Sequence, residues 1–255
     1  MIRYMVSYSS GITSWAAAKR TIDTHGTEGV VLVFADTKKE DEDNYRFLHE
    51  SAEKLGVPLE IIADGRTPWQ VMRDERFIGN SRIDPCSKIL KRELLKRWRQ
   101  ENCDPALTAT VIGLNWDEVN RIENIQKYSA PWIIDAPLAG PPYLSKQMCL
   151  DWARREGIEP PRLYGMGFSH ANCGGFCIKG GQGHFATLYR NLPERYLEHE
   201  QEEQNMMAFL GTDNTILTEQ VNGVQRNLSL RELRERIENR QQIDMFDIGG
   251  CGCAL

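Results

Sequence analysis

The chain has 255 residues and a formal net charge of −5, with 41% hydrophobic and 26% charged residues. This composition is ordinary for a globular chain with a sizeable core. The acidic balance excludes a global positive field that would draw the chain to nucleic acid or anionic lipid, so any such contact needs a local patch. The longest apolar runs, such as residues 29–35, have the length of strands and are too short to span a bilayer, so we expect no membrane partner.

The cysteine count and the first residues of the chain point to a reducing compartment. The seven cysteines are an odd number, and the first ten residues lack the basic and apolar segments of a secretion signal. We therefore expect a cytoplasmic protein whose cysteines are reduced thiols, metal ligands or redox groups rather than a disulfide framework.

Strand and helix patterns alternate through the first half of the chain. Five apolar runs predict strands at residues 3–9, 29–36, 58–64, 108–115 and 131–138. A helix that Gly26 ends lies between the first two strands, and a helix with an acidic start covers residues 40–56. This alternation predicts an α/β fold with a doubly wound, mostly parallel, Rossmann-like sheet, whose ligands bind at the carboxyl ends of the strands.

The composition and the pattern of predicted elements change from residue 139 onwards. A proline- and glycine-rich hinge leads to a helix and to the glycine-rich stretch 167–185, and a long helical region covers about 184–210. Asn222-Gly223 between alternating residues predicts a small hairpin, and Ser229 is a candidate N-cap of a last helix. We divide the chain into an α/β core at residues 1–138 and a Cys/Gly-rich, helical appendage with a hairpin at residues 139–255, packed on that core.

The turn after the first strand is rich in hydroxyl groups. Residues 7–14 read Ser-Tyr-Ser-Ser-Gly-Ile-Thr-Ser. Such a strand-to-helix turn offers backbone N–H groups, hydroxyls and a helix N-terminus to one anion. The Walker A and G-x-G-x-x-G patterns are absent. The structural alternative is an ordinary turn in which Thr13 or Ser14 caps the helix.

This turn resembles the PP-loop of the adenine-nucleotide α-hydrolase superfamily, whose usual form is S-F-S-G-G-K-D-S. Three serines and one glycine match, while Ser10, Ile12 and Thr13 stand at the places of Gly, Lys and Asp. Sulfonucleotide reductases, a branch of that superfamily, also carry a serine-rich loop without the Lys and Asp. The resemblance implies phosphate binding by Ser7, Ser9, Ser10, Gly11, Thr13 and Ser14.

Two further segments resemble the same superfamily in the same order. The segment FADTKKE resembles F-x-D-T-G-x-E, which places Asp36 and Thr37 beside the loop as nucleotide-binding residues. The segment VIGLNWDEVNR resembles G-x-R-x-x-E-x-x-R, with Asn115 at the place of the first Arg. The residues in register there are Gly113, Glu118 and Arg121. An exposed i, i+3 pair on a helix is the alternative for the last two.

Three cysteines lie in segments that also resemble this superfamily. RIDPCSKILKREL resembles C-T-x-x-L-K and places Cys86 at a helix start, with Lys91 one turn along. GFSHANCGGFCIKGG resembles the reductase-like stretch G-F-x-R-x-G-C-x-x-C-P, with Cys173 and Cys177 one residue further apart and no proline after them. Glycines let the backbone turn back and aim N–H groups at the sulfurs, as in metal sites.

These cysteines predict a metal site. Four thiolates serve an iron–sulfur cluster or structural zinc, and spacing alone leaves the metal open. The resemblance to sulfur-transferring members favours a [4Fe-4S] cluster, with zinc as the alternative. The expected ligands are Cys86, Cys173, Cys177 and one of Cys251 and Cys253. The last two are alternatively a mobile redox pair, and we interpret Cys103, Cys149, His170 and His184 as residues without ligand roles.

A basic, amphipathic helix follows Cys86. Residues 88–99 bury a stripe of Leu90, Leu94 and Trp98 and leave a basic face. That face is a candidate contact with a nucleic-acid backbone, and a solvated surface helix is the alternative. The basic residues are Lys88, Lys91, Arg92, Lys96, Arg97 and Arg99.

Taken together, the motifs resemble the PAPS-reductase-like branch of the PP-loop superfamily. The resemblance implies an ATP pyrophosphatase that uses Mg²⁺, releases AMP and pyrophosphate, and adenylates an acceptor for metal–sulfur-assisted sulfur transfer to nucleic acid or a nucleobase, with a sulfur-donor protein as a possible partner. Asp36 would lie near the ribose, adenine or Mg²⁺. Lys91, Arg121 and Glu118 form the expected catalytic set, with the two cations offsetting the charge on pyrophosphate.

Two alternatives remain open from the sequence. A sulfonucleotide reductase would use a tail cysteine as nucleophile. A non-catalytic nucleotide- or nucleic-acid-binding module would keep structural zinc, since the loop departs from the usual pattern at Ser10, Ile12 and Thr13.

Overall fold

The computed structural model describes residues 1–250, apart from the side chain of Asn172. Its centre is a parallel sheet of five strands in the order β3-β2-β1-β4-β5. The strands are β1 (Tyr4–Ser7), β2 (Val30–Asp36), β3 (Leu59–Ala63), β4 (Ala109–Val111) and β5 (Ile133–Asp135). The predicted α/β class and parallel sheet are confirmed, with each strand shorter than its apolar run.

Helices cover both faces of the sheet, and a two-stranded antiparallel hairpin follows in the second half of the chain. The hairpin strands are β6 (Leu217–Val221) and β7 (Val224–Leu228), and they meet at the predicted Asn222-Gly223 turn. The helices are α1 (Ile12–His25), α2 (Glu42–Leu55), α3 (Pro68–Asp74), α4 (Pro85–Ser87), α5 (Leu94–Asn102), α6 (Val119–Ser129), α7 (Lys146–Arg155), α8 (Arg162–Gly165), α9 (Gln182–Asn191), α10 (Pro193–Leu210) and α11 (Leu230–Glu238).

The alternation of side chains along the strands builds a core on each face of the sheet. Val6, Leu32 and Phe34 pack with α1 and α2 on one face. Met5 and Val31 face the other way, where Leu95 of α5 covers them. Because both faces are covered, β2 is buried along its whole length, as parallel strands in such folds are.

The second half of the chain shares these cores. Cys149 and Ala153 of α7 lie in the same cluster as Val6. A second cluster joins Trp69 and Met72 of α3 to residues of α9, α10 and α11. Side chains from both sides of residue 138 therefore form common hydrophobic cores.

The alternative of a helix cap at Thr13 or Ser14 is wrong, because the helix after residues 7–14, which we call the serine loop, begins at Ile12 with Gly11 as its N-cap. The long helical region predicted at about 184–210 is present as two helices, because Pro193 begins a new helix after Leu192 leaves helical geometry. Ser229 caps α11 as predicted, through a bond from the backbone N–H of Glu232. Within residues 1–250 no helix is long and apolar enough to cross a bilayer.

Gly113 follows β4 and lies directly against the start of α1. A Cβ added there would lie 2.6 Å from both the Cα and the backbone N of Ser14. Both are backbone atoms, so rotation of a flexible side chain cannot relieve the clash. The lack of a side chain at Gly113 therefore sets how closely β4 approaches the serine loop.

We predict that Gly113→Ala lowers the free energy of unfolding by about 1–3 kcal/mol, the usual cost of overpacking. Urea unfolding followed by circular dichroism measures it. Gly140→Ala is the matched control, because a Cβ at Gly140 has no heavy atom of the described chain within 4 Å. Equal stability of the two variants would contradict the assigned role of Gly113.

Candidate functional site

A cleft of about 520 Å³ opens at the carboxyl ends of β1 and β4. The strand order reverses between these two strands, and such a switch point is where parallel α/β folds bind ligands. A cavity of this volume has the usual size for a small-molecule site. Of the predicted site residues, the following line it: Ser7, Ser9, Gly11, Thr13, Ser14, Gly113, Glu118 and Arg121.

The serine loop is held in one conformation by its own bonds. Ser14 Oγ donates to the Gly11 carbonyl at 2.8 Å, and Ser9 Oγ donates to Ser14 Oγ at 3.2 Å. The Ile12 N–H donates to the hydroxyl of Tyr164 at 3.0 Å. Ser10 has a φ of +52°, a left-handed conformation that favours glycine, which is the residue of the usual PP-loop there. Ser10 is buried beneath the loop, and its Oγ has no hydrogen-bond partner within the described chain.

Two cationic side chains line the same cleft. Arg121 donates to Glu118 at 2.9 Å, and Glu118 also accepts from the backbone N–H of Asn115 at 3.2 Å. Both charged groups are about one-third exposed, at 32% and 35%. The predicted i, i+3 pair therefore exists and lies on the cleft wall. Lys146 of α7 also lines the cleft, where its Nζ donates to the Ser169 carbonyl at 2.5 Å.

Among the described residues, those that line this cleft do not include Asp36 or Thr37. Asp36 is buried and accepts from Tyr45 Oη at 2.6 Å and from the backbone N–H of Lys38 at 2.8 Å, while Lys38 Nζ lies 2.9 Å away. Burial raises the pKa of Asp36, but the bonds from Tyr45 and Lys38 outweigh it, and the net pKa is lowered. Thr37 donates to Glu40 at 3.2 Å and lines a different cavity.

The sequence analysis did not identify Glu40 as a site residue. Its side chain is fully buried and contacts Lys91 Nζ at 3.3 Å. It also accepts from Asn44 Nδ2 at 3.3 Å and from the backbone N–H of Cys173 at 2.6 Å. The signal was present, because Glu40 ends the quoted FADTKKE segment. Glu40 thus joins the end of β2 to the helix after Cys86 and to the glycine-rich loop.

Asp41 holds the same loop through arginines. It accepts from Arg162 Nε and Nη2, both at 2.9 Å, and from Arg195 Nη1 at 2.8 Å. Arg195 also donates to the Gly174 carbonyl at 2.6 Å. Burial raises the pKa of Asp41, but the bonds from the two arginines outweigh it and lower the pKa overall. Glu40 and Asp41, directly before α2, therefore fix the glycine-rich segment of residues 173–177, which we call the cysteine loop.

Three predicted thiolate ligands come together in this region. Cys86, Cys173 and Cys177 line one cavity of about 20 Å³, together with Lys91 and Lys179. Cys173, Gly174 and Gly175 have φ values of +52°, +60° and +84°. Three consecutive residues with left-handed φ values turn the chain sharply here, and the Cys173 N–H donates to Glu40.

The remaining cysteine predictions divide into two groups. Cys251 and Cys253 lie outside the described residues. Gly250, the residue before Cys251, donates its N–H to the carbonyl of Lys179 at 3.0 Å. Lys179 lies two residues after Cys177 in the chain. Within residues 1–250, no group of three or more His, Cys, Asp or Glu side chains is arranged to hold a metal ion.

Burial raises the pKa of the Cys149 thiol to about 11 and also raises the pKa of Cys103.

His170 and His184 stack between the cysteine loop and the cleft. Their ring centroids are 5.4 Å apart, and His184 Nε2 bonds the Gly175 carbonyl at 2.8 Å. His170 lines the cleft, and both of its buried ring nitrogens are without a hydrogen-bond partner among the described residues. Burial lowers the pKa of His170 to about 3, so the ring is neutral at pH 7. The sequence offered no signal that distinguished His170 from an ordinary loop histidine.

The basic helix shows fewer cations to solvent than its sequence predicts. A π-helical segment (Lys88–Glu93) joins α4 to α5, and Lys91 is buried within it. Arg99 is buried against Thr110 and Trp132, and Arg92 is bound to Asp84. The basic residues of this helix that are exposed are Lys88, Lys96 and Arg97.

Comparisons with known proteins give similarities to solved structures. No protein-family model matches the chain, and no curated protein matches it. Among solved structures, the chain is similar to the phosphoadenylyl-sulfate (PAPS) reductase from Candida auris in its phosphate complex. The similarity covers 66% of this chain and 80% of that chain, with 16% identity and a TM-score of 0.47.

His199 lies under the cysteine loop and predicts a pH-dependent stability. Its Nδ1 accepts from Trp69 Nε1 at 2.9 Å, and its ring stacks on Phe176 with centroids 3.6 Å apart. Burial lowers the pKa of His199 from the ordinary 6.5 to about 3. The unfolded chain takes up a proton at this residue between those two pH values and the folded chain does not, so stability falls as the pH falls through that window.

We expect His199→Gln to reduce the slope of unfolding free energy against pH by up to about 1.4 kcal/mol per pH unit between about pH 4 and about pH 6. Urea titrations at several pH values measure the slope, which is independent of any constant loss of stability. An unchanged slope would show that His199 takes up its proton equally in the folded chain.

Proposed function

We propose that the chain is a PP-loop protein of the PAPS-reductase-like branch that cleaves ATP to AMP and pyrophosphate and adenylates an acceptor for sulfur transfer in the cytoplasm. The acceptor is a nucleic acid or a nucleobase, and Mg²⁺ accompanies the ATP. The observation that carries this proposal is the cleft at the strand-order switch, where the serine loop, Gly113 and Arg121 meet. The further support is the set of sequence segments that resemble this superfamily in the same order.

In this proposal the serine loop binds the phosphates through hydroxyls and the N-terminus of α1. Arg121 and Lys146, which reach the cleft from different halves of the chain, stabilise the negative charge on the departing pyrophosphate. The acceptor oxygen attacks the α-phosphorus, the bond between the α- and β-phosphates breaks, and pyrophosphate leaves with that electron pair. A sulfur nucleophile from the sulfur donor then attacks the acceptor carbon, the bond from that carbon to the adenylated oxygen breaks, and AMP leaves with that electron pair. Glu118 pairs with Arg121 until a phosphate takes the place of Glu118.

Lys91 takes a different role from the catalytic one expected from its motif. It is buried beside Glu40 and lines the cysteine cavity rather than the cleft. We assign it to the cysteine cavity, where its charge offsets that of Glu40 and of thiolates.

We further propose that Cys86, Cys173, Cys177 and one of Cys251 and Cys253 hold a metal. The support for this proposal is that Cys86, Cys173 and Cys177 line one cavity beside Lys91 and Lys179, although within residues 1–250 their side chains are not arranged to hold a metal ion. Such a donor set suits a [4Fe-4S] cluster or zinc. When bound, an iron–sulfur cluster would supply a place to hold sulfur, whereas zinc would hold the loop together.

A specific observation favours sulfonucleotide reduction as a second candidate. Ile248, Gly249 and Gly250 line the same cleft as the serine loop, and Cys251 is the next residue. In that reaction a tail thiolate attacks the sulfonate sulfur of a 5′-phosphosulfate. A sulfur–sulfur bond forms, the bond from sulfur to the phosphate oxygen breaks, and the nucleotide leaves with that electron pair.

We predict that the purified protein binds ATP with Mg²⁺ in calorimetry and that Arg121→Gln weakens this binding about 10- to 100-fold, since a bond to a charged group contributes about 1.5–3 kcal/mol. Arg154→Gln, a half-exposed arginine of α7 that pairs with Asp151, is the matched control. With short single-stranded RNA as the probe acceptor, release of pyrophosphate and adenylation of the RNA test turnover. No ATP binding would contradict the proposal, and binding without turnover favours the non-catalytic module.

Metal content separates the two enzymatic candidates. We expect anaerobically purified protein to carry iron and sulfide or zinc, and Cys173→Ser with Cys177→Ser to lose it, whereas Cys103→Ser with Cys149→Ser keeps it. Cys251→Ser with Cys253→Ser lowers the metal content if a tail cysteine is a ligand. Elemental analysis and the absorption spectrum measure this. Retained metal with lost reduction of a 5′-phosphosulfate would instead support the reductase.

A further inference from the structure

His170, on the wall of the cleft, has two buried ring nitrogens without a hydrogen-bond partner among the described residues. Buried polar atoms in folded proteins are normally paired, and a neutral imidazole has one nitrogen that donates and one that accepts. His184 follows this rule through the Gly175 carbonyl. His199 follows it through Trp69 Nε1. His170 therefore lacks the kind of partner that these two buried histidines have.

The ring of His170 is already held in position. It stacks on His184 with ring centroids 5.4 Å apart and ring planes 22° apart, and Phe168 meets His184 edge to face. The carbonyl of Ser169, the residue before His170, accepts from Lys146 Nζ at 2.5 Å. Because the ring and its backbone are ordered before a ligand arrives, a hydrogen bond to this ring costs little conformational entropy.

The charges around His170 favour an anionic partner. Lys146 and Arg121 line the same cleft. Burial is the largest cause that lowers the pKa of His170, and neighbouring groups that include Lys146 and Lys91 lower the pKa further. The ring is therefore neutral at pH 7 and lies close to cations. A negatively charged oxygen that accepts the ring N–H is also attracted by those cations.

A partner for His170 enters through the cleft rather than through the cysteine cavity. Among the described residues, those that line the cysteine cavity do not include His170. His170 shares the cleft with the serine loop and with Arg121, which we assign to phosphate binding. His184, on which His170 stacks, is bonded to the cysteine loop. His170 thus lies on the side of the cleft that faces the cysteine loop.

We propose that His170 is a ligand-binding residue whose ring N–H donates a hydrogen bond to an anionic oxygen of the nucleotide in the cleft, beside Lys146. This inference rests on the proposed nucleotide binding. The two candidate functions supply that oxygen from different groups, a phosphate of ATP or the sulfonate of a 5′-phosphosulfate, and titration with each ligand distinguishes these sources. In both cases the contact holds the anionic group on the side of the cleft that faces the cysteine loop.

Calorimetry with ATP and Mg²⁺, and with adenosine 5′-phosphosulfate, tests this inference. His170→Phe keeps a flat ring that stacks on His184 and removes both nitrogens. It should weaken the binding of the nucleotide that the unaltered protein holds about 10- to 150-fold, the range expected for a hydrogen bond to a charged group. His49→Phe is the matched control and should leave both affinities unchanged, because His49 is exposed on α2 and is not among the described residues that line the cleft.

Nitrogen-15 NMR of the histidine rings gives a second readout, on the unaltered protein. Saturation with the nucleotide that binds should shift the ring N–H signal of His170, because the N–H gains an anionic acceptor. The ring signals of His199 should stay in place, since His199 is bonded to Trp69 and is not among the described residues that line the cleft.

The failure of this inference differs from the failure of the proposed function. Unchanged affinity in His170→Phe, or an unshifted His170 signal at saturation, overturns the inference and leaves the proposed nucleotide binding in place. Lost affinity in His170→Phe together with an unshifted signal in the unaltered protein shows that the substitution damaged the cleft, and it also overturns the inference. Binding of neither nucleotide by the unaltered protein removes the proposed nucleotide site itself and, with it, this inference.

Discussion

The buried carboxylate of Glu40 joins the parts of this molecule on which the site depends. It accepts from Thr37 at the end of β2 and from the backbone of Cys173, and Lys91 from the π-helical segment neutralises it. Burying a charge is costly unless it is paired and hydrogen-bonded, and removing one partner of a buried pair leaves the other uncompensated. The sheet edge, the helix after Cys86 and the cysteine loop are therefore held in one arrangement by a single charged group.

This arrangement places two different chemical environments side by side. The cleft at the serine loop is lined by hydroxyls, exposed cations and the neutral ring of His170. The cysteine cavity is small, and the cations that border it are Lys91 and Lys179. The described end of the chain contributes to both, since Gly250 lines the cleft and bonds Lys179. The described end of the chain therefore connects the lining of the cleft to the lining of the cavity that Cys86, Cys173 and Cys177 share.

The sequence predicted what depends on periodicity and turn chemistry, and it missed what depends on contacts distant along the chain. The five apolar runs became the five strands, and Asn222-Gly223 became the hairpin turn, because these features are local. The sequence did not predict that a tyrosine nine residues further on donates a hydrogen bond to Asp36. No residue pattern in the helix after Cys86 predicts the π-helical segment in which Lys91 is buried.

The exposure of each ion pair distinguishes cations that can bind a ligand from cations that hold the fold. The Lys91–Glu40 pair is buried, so a phosphate that replaced Glu40 would leave a buried carboxylate without the charge of Lys91. The Arg121–Glu118 pair is about one-third exposed, and such pairs contribute only about 0–1 kcal/mol. A phosphate entering the cleft displaces Glu118 at little cost, because the released carboxylate is hydrated. Arg121 is therefore suited to a ligand that comes and goes, and Lys91 to a permanent partner.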